Sequence, residues 1–300
     1  MTTAYNAGII NIATVPHRSP FRYPGGKTWL VPRVRDWLSS IGHQHELIEP
    51  FGGGAIIGLT AVFEDFVDRL LLVELDDDIA SVWRTVLNGC GRKLAEHIVH
   101  FELTPQSVDV VLKTPPCTLY DRAFRTILRN RISRGGILAP GAGIVKNGEN
   151  GRGLLSRWYP ETISRRIVAI SELQHRIDFV QTDGIQVMRD NAHREDVVFF
   201  IDPPYTVAGR RLYQHSEIDH ADLFDAAASL RGDFLITYDN TEEIAGLARQ
   251  HGFMMRTVPM KNTHHSHKLE LLIGRDLGWV SDCAHCTGPN FRQNTLFEDF

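Results

Sequence analysis

The chain has 300 residues, 43% hydrophobic and 23% charged, with a formal net charge of −4. This is room for one large α/β core and an inserted subdomain; the acidic balance excludes a uniformly basic nucleic-acid coat, and no apolar run nears the roughly 20 residues that cross a bilayer. Four cysteines make no disulfide framework, and the opening MTTAYNAGII has no basic region ahead of a long apolar stretch, so a cytoplasmic protein with no membrane contact and no obligatory protein partner is expected.

Before Ser19 the chain lacks periodicity. The segment ELIEP then predicts a strand, and a glycine turn leads into the apolar run Ala55 to Phe66, which reads as a helix. RLLLVEL predicts a second strand, and an acid-rich turn opens a helix over Ile79 to Leu87. This βαβα order predicts a parallel sheet with helices on both faces. Residues 105–167 break the pattern with glycine-rich turns, many arginines and no long apolar strand, as an inserted module would. Between Arg122 and Arg166 stand ten basic residues against Glu149 and Glu161, a local net of +8 that leaves the rest of the chain near −12. The α/β grammar returns with RIDFVQTDG, DVVFFIDPPY, ADLFDAAASLR, GDFLITYDN and TEEIAGLARQHG. The expected units are therefore a cofactor-binding half over 19–104, the insert over 105–167, a second half of the same α/β domain over 168–280, and a tail over 281–300.

The glycine turn is Phe51-Gly52-Gly53-Gly54-Ala55. Glycines between a strand and a helix let backbone pass close to a ligand and leave helix N-terminal N–H groups facing it. Glu74 ends the next strand some 20 residues on, where an acid accepts both hydroxyls of a ribose and disfavours a 2′-phosphate. Asp77 and Asp78 are read as helix caps. No Walker lysine follows the glycines, which excludes a P-loop ATPase, while a nicotinamide enzyme stays open on these residues alone.

The run Val197 to Ile201 reads as a buried strand that delivers Asp202-Pro203-Pro204-Tyr205 at its carboxyl end, where open α/β sheets place ligands. Two prolines stiffen this corner and leave the carbonyls of Asp202 and Pro203 as acceptors. An aromatic amino group is a poor nucleophile until acceptors hold both its hydrogens; the Asp202 carboxylate and the Pro203 carbonyl suit that task, with Tyr205 stacked on the ring. By themselves these four residues are equally compatible with a proline turn in which Asp202 is a cap and Tyr205 a surface aromatic.

The motif Asp202-Pro203-Pro204-Tyr205, preceded by the glycine turn, resembles the catalytic motif of the Dam-type DNA N6-adenine methyltransferases of the alpha group. The resemblance covers most of Phe21 to Gly274. It implies a Rossmann-like S-adenosylmethionine-dependent methyltransferase sheet with helices on both faces and an inserted, mostly helical target-recognition subdomain. Phe21-Arg22-Tyr23-Pro24-Gly25-Gly26-Lys27 is similar to the family's N-terminal element, which implies cofactor contacts from Tyr23, Gly26 and Lys27. Glu49-Pro50-Phe51-Gly52-Gly53-Gly54 is similar to its cofactor turn, Glu74 falls on its ribose-binding acid, and Asp183 on a position that contacts the cofactor adenine; Asp202 also borders the cofactor. The family usually closes its turn with glycine where this chain has Ala55. Glu270, in Lys268-Leu269-Glu270-Leu271-Leu272, matches a family strand and is read as structural.

The resemblance places the target-reading insert where the basic segment lies and implies duplex DNA as partner, with a flipped-out adenine as acceptor. The helical spacing of Ala123, Phe124, Ile127 and Leu128 turns Arg122, Arg125 and Arg129 towards solvent or phosphate. Asn130-Arg131 and the following glycines resemble the family's recognition stretch, so the expected DNA contacts are Arg122, Arg129, Asn130, Arg131 and Arg134. Trp158 and Tyr159 are read as stacking partners or as core. Other readings of the chain are methyl transfer to adenine in RNA or to the amino group of cytosine in DNA, or a DNA-binding relative without activity. Cys283 and Cys286 with His264, His265 and His267 have zinc-ligand chemistry, but only one CxxC knuckle exists and no metal is expected.

Overall fold

The computed structural model describes residues 14–22, 26–139, 141–146, 148, 151–205, 218–261 and 267–280. Seven strands form one sheet: β1 (Gln44–Glu49), β2 (Val67–Val73), β3 (Ile177–Val180), β4 (Val197–Ile201), β5 (Phe234–Asp239), β6 (Met254–Lys261) and β7 (His267–Gly274), in the spatial order β3-β2-β1-β4-β5-β7-β6. Strands β1 to β5 run parallel, and β7 enters antiparallel between β5 and β6.

Along each central strand the side chains alternate between two apolar layers, as the period of two requires. Leu47, Leu70, Leu72, Val198, Phe200, Leu235 and Leu272 join one layer. Their neighbours Ile48, Val73, Phe199, Ile201, Ile236 and Ile273 join the other. On the first face lie α1 (Val31–Ile41), α2 (Ile56–Phe63), α3 (Asp77–Thr85) and α4 (Gly91–His100); on the second lie α8 (Gly184–Asp190), α9 (His220–Ser229) and α10 (Glu242–Gln250). The fold is thus the expected Rossmann-like α/β sheet covered on both sides. Among the described residues no helix is long and apolar enough to cross a membrane.

The middle of the chain contributes α5 (Pro105–Lys113), α6 (Leu119–Ile132) and α7 (Pro160–Glu172), joined by irregular turns, and among the described residues it adds no strand to the sheet. Thr104 and Thr118 start α5 and α6 with reciprocal capping boxes. Its apolar side chains Val108, Phe124, Ile127, Leu128, Ile163 and Ile167 are continuous with the first layer, because α6 packs on α3 and α7 on α4. The middle therefore shares one core with the sheet rather than owning a separate one.

The order reverses between β1 and β4. The chain leaves β1 for α2 on one face, and the next described helix after β4, α9, lies on the other, which opens a crevice at the carboxyl ends of these two strands. Glu49 and Asp202 stand at its two lips.

Candidate active site

Glu49 closes β1 and is 3% exposed. Its Oε1 accepts the Gly58 N–H at 2.6 Å, while Oε2 has no hydrogen-bond partner among the described residues. Burial pushes its carboxyl up to about 8, against the Gly58 bond, with the charge of Asp202 adding to the rise. The turn after it is drawn tight: Gly52 N–H bonds Val73 O at 2.7 Å, and a Cβ on Gly52 would stand 3.1 Å from the same oxygen. Trp83 Nε1 donates to Gly53 O at 3.0 Å, and Phe21 meets the Trp83 ring edge-on at 5.9 Å. Phe51 packs on the second layer, and Gly54 leads into Ala55.

Ala55 sits at φ 51°, ψ 30°, the left-handed region. The one place where the chain departs from the resembling family's glycine is thus the place whose backbone favours glycine.

Glu74 lies just beyond β2 with its carboxylate turned towards the glycine turn. Oε2 accepts from Gly53 N–H at 3.0 Å, and Oε1 from Leu75 and Asp76 N–H at 2.8 and 2.9 Å. Three N–H groups on two oxygens leave acceptor capacity for a further donor. Burial pushes this carboxyl up to about 7, opposed by those N–H bonds. The cap of α3 is Asp76, whose Oδ1 accepts from Asp78 and Ile79 N–H, rather than Asp77 or Asp78. Asp183 caps α8 through Gln186 N–H at 3.0 Å, and the next residue presses on the β1 corner: a Cβ on Gly184 would lie 2.1 Å from Pro50 O.

Across the crevice, Gly26 leads into a short 3-10 turn that buries Lys27 to 5% exposure. The Lys27 ammonium lies 2.9 Å from Asp202 Oδ1 and 3.2 Å from Glu270 Oε1, and donates to the Tyr205 hydroxyl at 2.8 Å. Tyr205 donates in turn to Glu270 Oε1, and Thr237, on β5, donates to Asp202 Oδ1 at 2.8 Å. Pro203 is buried, while Pro204 and Tyr205 are half-buried. Asp202 is held by a buried ammonium and a neighbouring strand, which is more than a proline turn with a cap would need. Lys27, Thr237 and Glu270 fix one oxygen of Asp202 and the hydroxyl of Tyr205, so carboxylate and ring are presented together at the crevice. Thr237 and Trp83 escaped the sequence reading, and the partners of Glu270 did too. A lone acid inside the apolar strand KLELLIG was the signal available for Glu270.

The residues expected on DNA divide. Asn130 is fully buried: Oδ1 accepts Arg22 N–H at 2.7 Å, and Nδ2 donates to Arg22 O at 2.7 Å and Gly136 O at 2.8 Å. Arg131 is also buried, donates to Pro20 O at 2.5 Å, and is lowered to about 9 by burial and then by the nearby Arg166 and Arg22 charges. Both side chains are occupied in fastening residues 20–22 to α6, which is not the exposed surface a base contact requires. Arg122 and Arg129 reach back to Asp77 Oδ2 at 3.2 Å and Asp78 Oδ2 at 3.0 Å, so they tie α6 to the start of α3. Arg125 donates to Leu112 O at 2.8 Å. Arg134 is exposed, as are Arg152 and Arg165. Trp158 is core, edge-on to Phe101 at 6.0 Å, and Tyr159 is exposed.

Tyr23, His264, His265, Cys283 and Cys286 lie outside the described residues, and of His267 only the backbone is described. Among the described residues no group of three or more His, Cys, Asp or Glu is arranged to hold a metal ion, and Cys90 and Cys117 are exposed thiols.

No protein-family model matches the sequence, and no curated protein does. Solved structures with a similar course of chain include TrmK of M. capricolum in complex with S-adenosyl-homocysteine, at 6% identity and TM-score 0.36, covering 81% of this chain and 68% of that one. The tRNA methyltransferase TrmK of B. subtilis gives 11% identity and TM-score 0.37, covering 82% and 65%. The precorrin-6y C5,15-methyltransferase of Geobacter metallireducens gives 9% and 0.35, covering 82% and 87%. Likenesses of this depth leave the reading of function to the residues of the site.

Proposed function

We propose that the protein is a Dam-type methyltransferase that transfers a methyl group from S-adenosylmethionine to the exocyclic amino group of an adenine flipped out of duplex DNA. The observation that carries this reading is the juxtaposition, at one switch point, of the glycine turn after β1 with the Asp202-Pro203-Pro204-Tyr205 corner after β4.

The cofactor supplies an electrophilic methyl group on a positively charged sulfur. The residues present fit such a ligand: Glu49 offers a cationic group a buried oxygen that has no partner among the described residues, and Glu74 retains acceptor capacity for ribose hydroxyls. The resemblance adds Gly26, Lys27, Phe51 to Gly54 and Asp183 to the residues that would hold it. On the acceptor side, the Asp202 carboxylate and the Pro203 carbonyl hold the two amino hydrogens, which frees the nitrogen lone pair for in-line attack, and Tyr205 holds the plane of the base.

Support for a nucleic-acid partner comes from the basic middle of the chain, and its exposed members Arg134, Arg152 and Arg165 suit phosphate contacts.

The test is transfer of a radiolabelled methyl group from S-adenosylmethionine to unmethylated duplex DNA, followed by nucleoside analysis. Label in N6-methyldeoxyadenosine, reduced by about 100-fold or more in Asp202→Ala while cofactor binding persists, is expected. Label in RNA adenine or in cytosine would move the acceptor. Absence of transfer to any nucleic acid would overturn the enzymatic reading.

A further inference from the structure

Glu270 is 2% exposed and lies in β7, opposite Asp239 of β5 and Val258 of β6. Two donors reach its carboxylate among the described residues, Lys27 and Tyr205, and both belong to the acceptor corner. A buried carboxylate is costly unless its partners repay it. As a counter-ion for Lys27 alone it would be redundant, because Asp202 already stands 2.9 Å from that ammonium.

We infer that Glu270 is a positioning residue for the acceptor pocket: it sets the ring of Tyr205 through its hydroxyl and shares the Lys27 ammonium with Asp202. This inference rests on the proposed reading of the corner as a methyl-acceptor site. With one cation between two carboxylates, neither receives the whole of its charge, and Asp202 keeps acceptor strength for an amino hydrogen. Without the Glu270 charge, Lys27 closes on Asp202 and weakens it as an acceptor. Without the Glu270 oxygen, Tyr205 also loses an acceptor for its hydroxyl proton that helps to set its ring.

The experiment compares the full-length protein with Glu270→Gln, which keeps an acceptor for Tyr205 but no charge, and Glu270→Ala, which keeps neither. In single-turnover transfer to duplex DNA, Glu270→Ala is expected to lower the rate by about 100-fold and Glu270→Gln by about 10-fold, with cofactor Kd changed less than about 3-fold in either. Among the described residues the groups facing Glu270 are Lys27, Tyr205 and Asp202, with Asp239 across the ladder. Burial raises the Glu270 carboxyl, opposed by Lys27 and reinforced by Asp202, so the acid limb of the rate profile is expected to move to lower pH in Glu270→Gln. Independently of turnover, the NMR titration of the Lys27 side chain is expected to fall in Glu270→Gln, because the ammonium loses the Glu270 counter-charge.

A wild-type rate, an unmoved acid limb and an unmoved Lys27 titration in Glu270→Gln would overturn the inference while leaving the methyltransferase reading intact. If the wild-type protein transfers no methyl group, that reading fails, and the Lys27 titration alone then decides whether Glu270 shares the cation. Should Glu270→Ala fail to fold, Glu270→Gln carries the decision.

Discussion

Asn130 grips Arg22 by both backbone polar groups, accepting its N–H and donating to its carbonyl, each at 2.7 Å. The side-chain amide acts as a strand partner for a segment that has none among the described residues, and five residues later the chain delivers Lys27 to the site. Asn130→Ala is therefore expected to cost about 3 kcal/mol in urea denaturation, since it leaves buried backbone groups unsatisfied. DNA affinity per folded molecule should change little. A variant of normal stability with affinity lowered tenfold or more would restore Asn130 to the DNA surface.

Ala55 occupies the left-handed region while almost wholly buried. Replacing it with glycine removes a steric cost of about 1 kcal/mol, against a smaller loss from the freer unfolded chain. Ala55→Gly should thus unfold at equal or slightly higher denaturant concentration and bind the cofactor at least as tightly. Clear destabilisation would show that the Ala55 methyl contributes more through packing than its backbone costs.

The Glu49 carboxyl, raised to about 8 in the folded protein from an ordinary value of 4.5, makes stability depend on pH in a defined sense. Between those two values the unfolded chain has released its proton and the folded chain has kept it, so stability falls as pH rises through this window. Glu49→Gln should flatten that fall, gaining about 1–3 kcal/mol relative to wild type at pH 8 compared with pH 4.5. A cationic ligand beside Oε2 favours the ionised form, so proton release on cofactor binding near pH 7, read by calorimetry in two buffers, is expected in wild type and lost in Glu49→Gln.

Salt dependence separates the arginines. Arg134, Arg152 and Arg165 are exposed, whereas Arg131 is buried against Pro20 O. Each exposed arginine that contacts a phosphate should reduce the slope of log K against log salt by about 1 when changed to alanine. Arg131→Met should leave the slope unchanged and lower stability instead. Identical slopes in all four variants would remove the phosphate role of the exposed group.

What could be read from the sequence follows a physical division. Strands β1 to β5 announced themselves through their apolar runs, whereas β6 went unread and β7 was named only through the resemblance; the glycine turn and the Asp202 corner stood out because their residue types restrict the backbone in ways few other structures need. Asn130 and Arg131 were legible as polar residues on an amphipathic helix, but their burial depends on a segment more than a hundred positions away lying over α6. The bond from Thr237 to Asp202 was invisible for the same reason: an inward threonine in a strand has no local signature of its partner. Glu270 came closest to being found, since an acid in an apolar run needs a donor, yet nothing nearby in the chain named Lys27.

That pairing also sets a timetable. A nascent chain that has emerged through Tyr205 already contains the glycine turn, the basic helices and the Asp202 corner, but of the two carboxylates that reach Lys27 among the described residues it holds only Asp202. The second arrives only with β7, which must insert between β5 and β6 rather than add at an edge. Contacts between distant parts of a chain form late and at an entropic cost. The wiring of the corner is therefore completed together with the last hairpin, and a chain cut short before that strand carries the corner without its full set of partners.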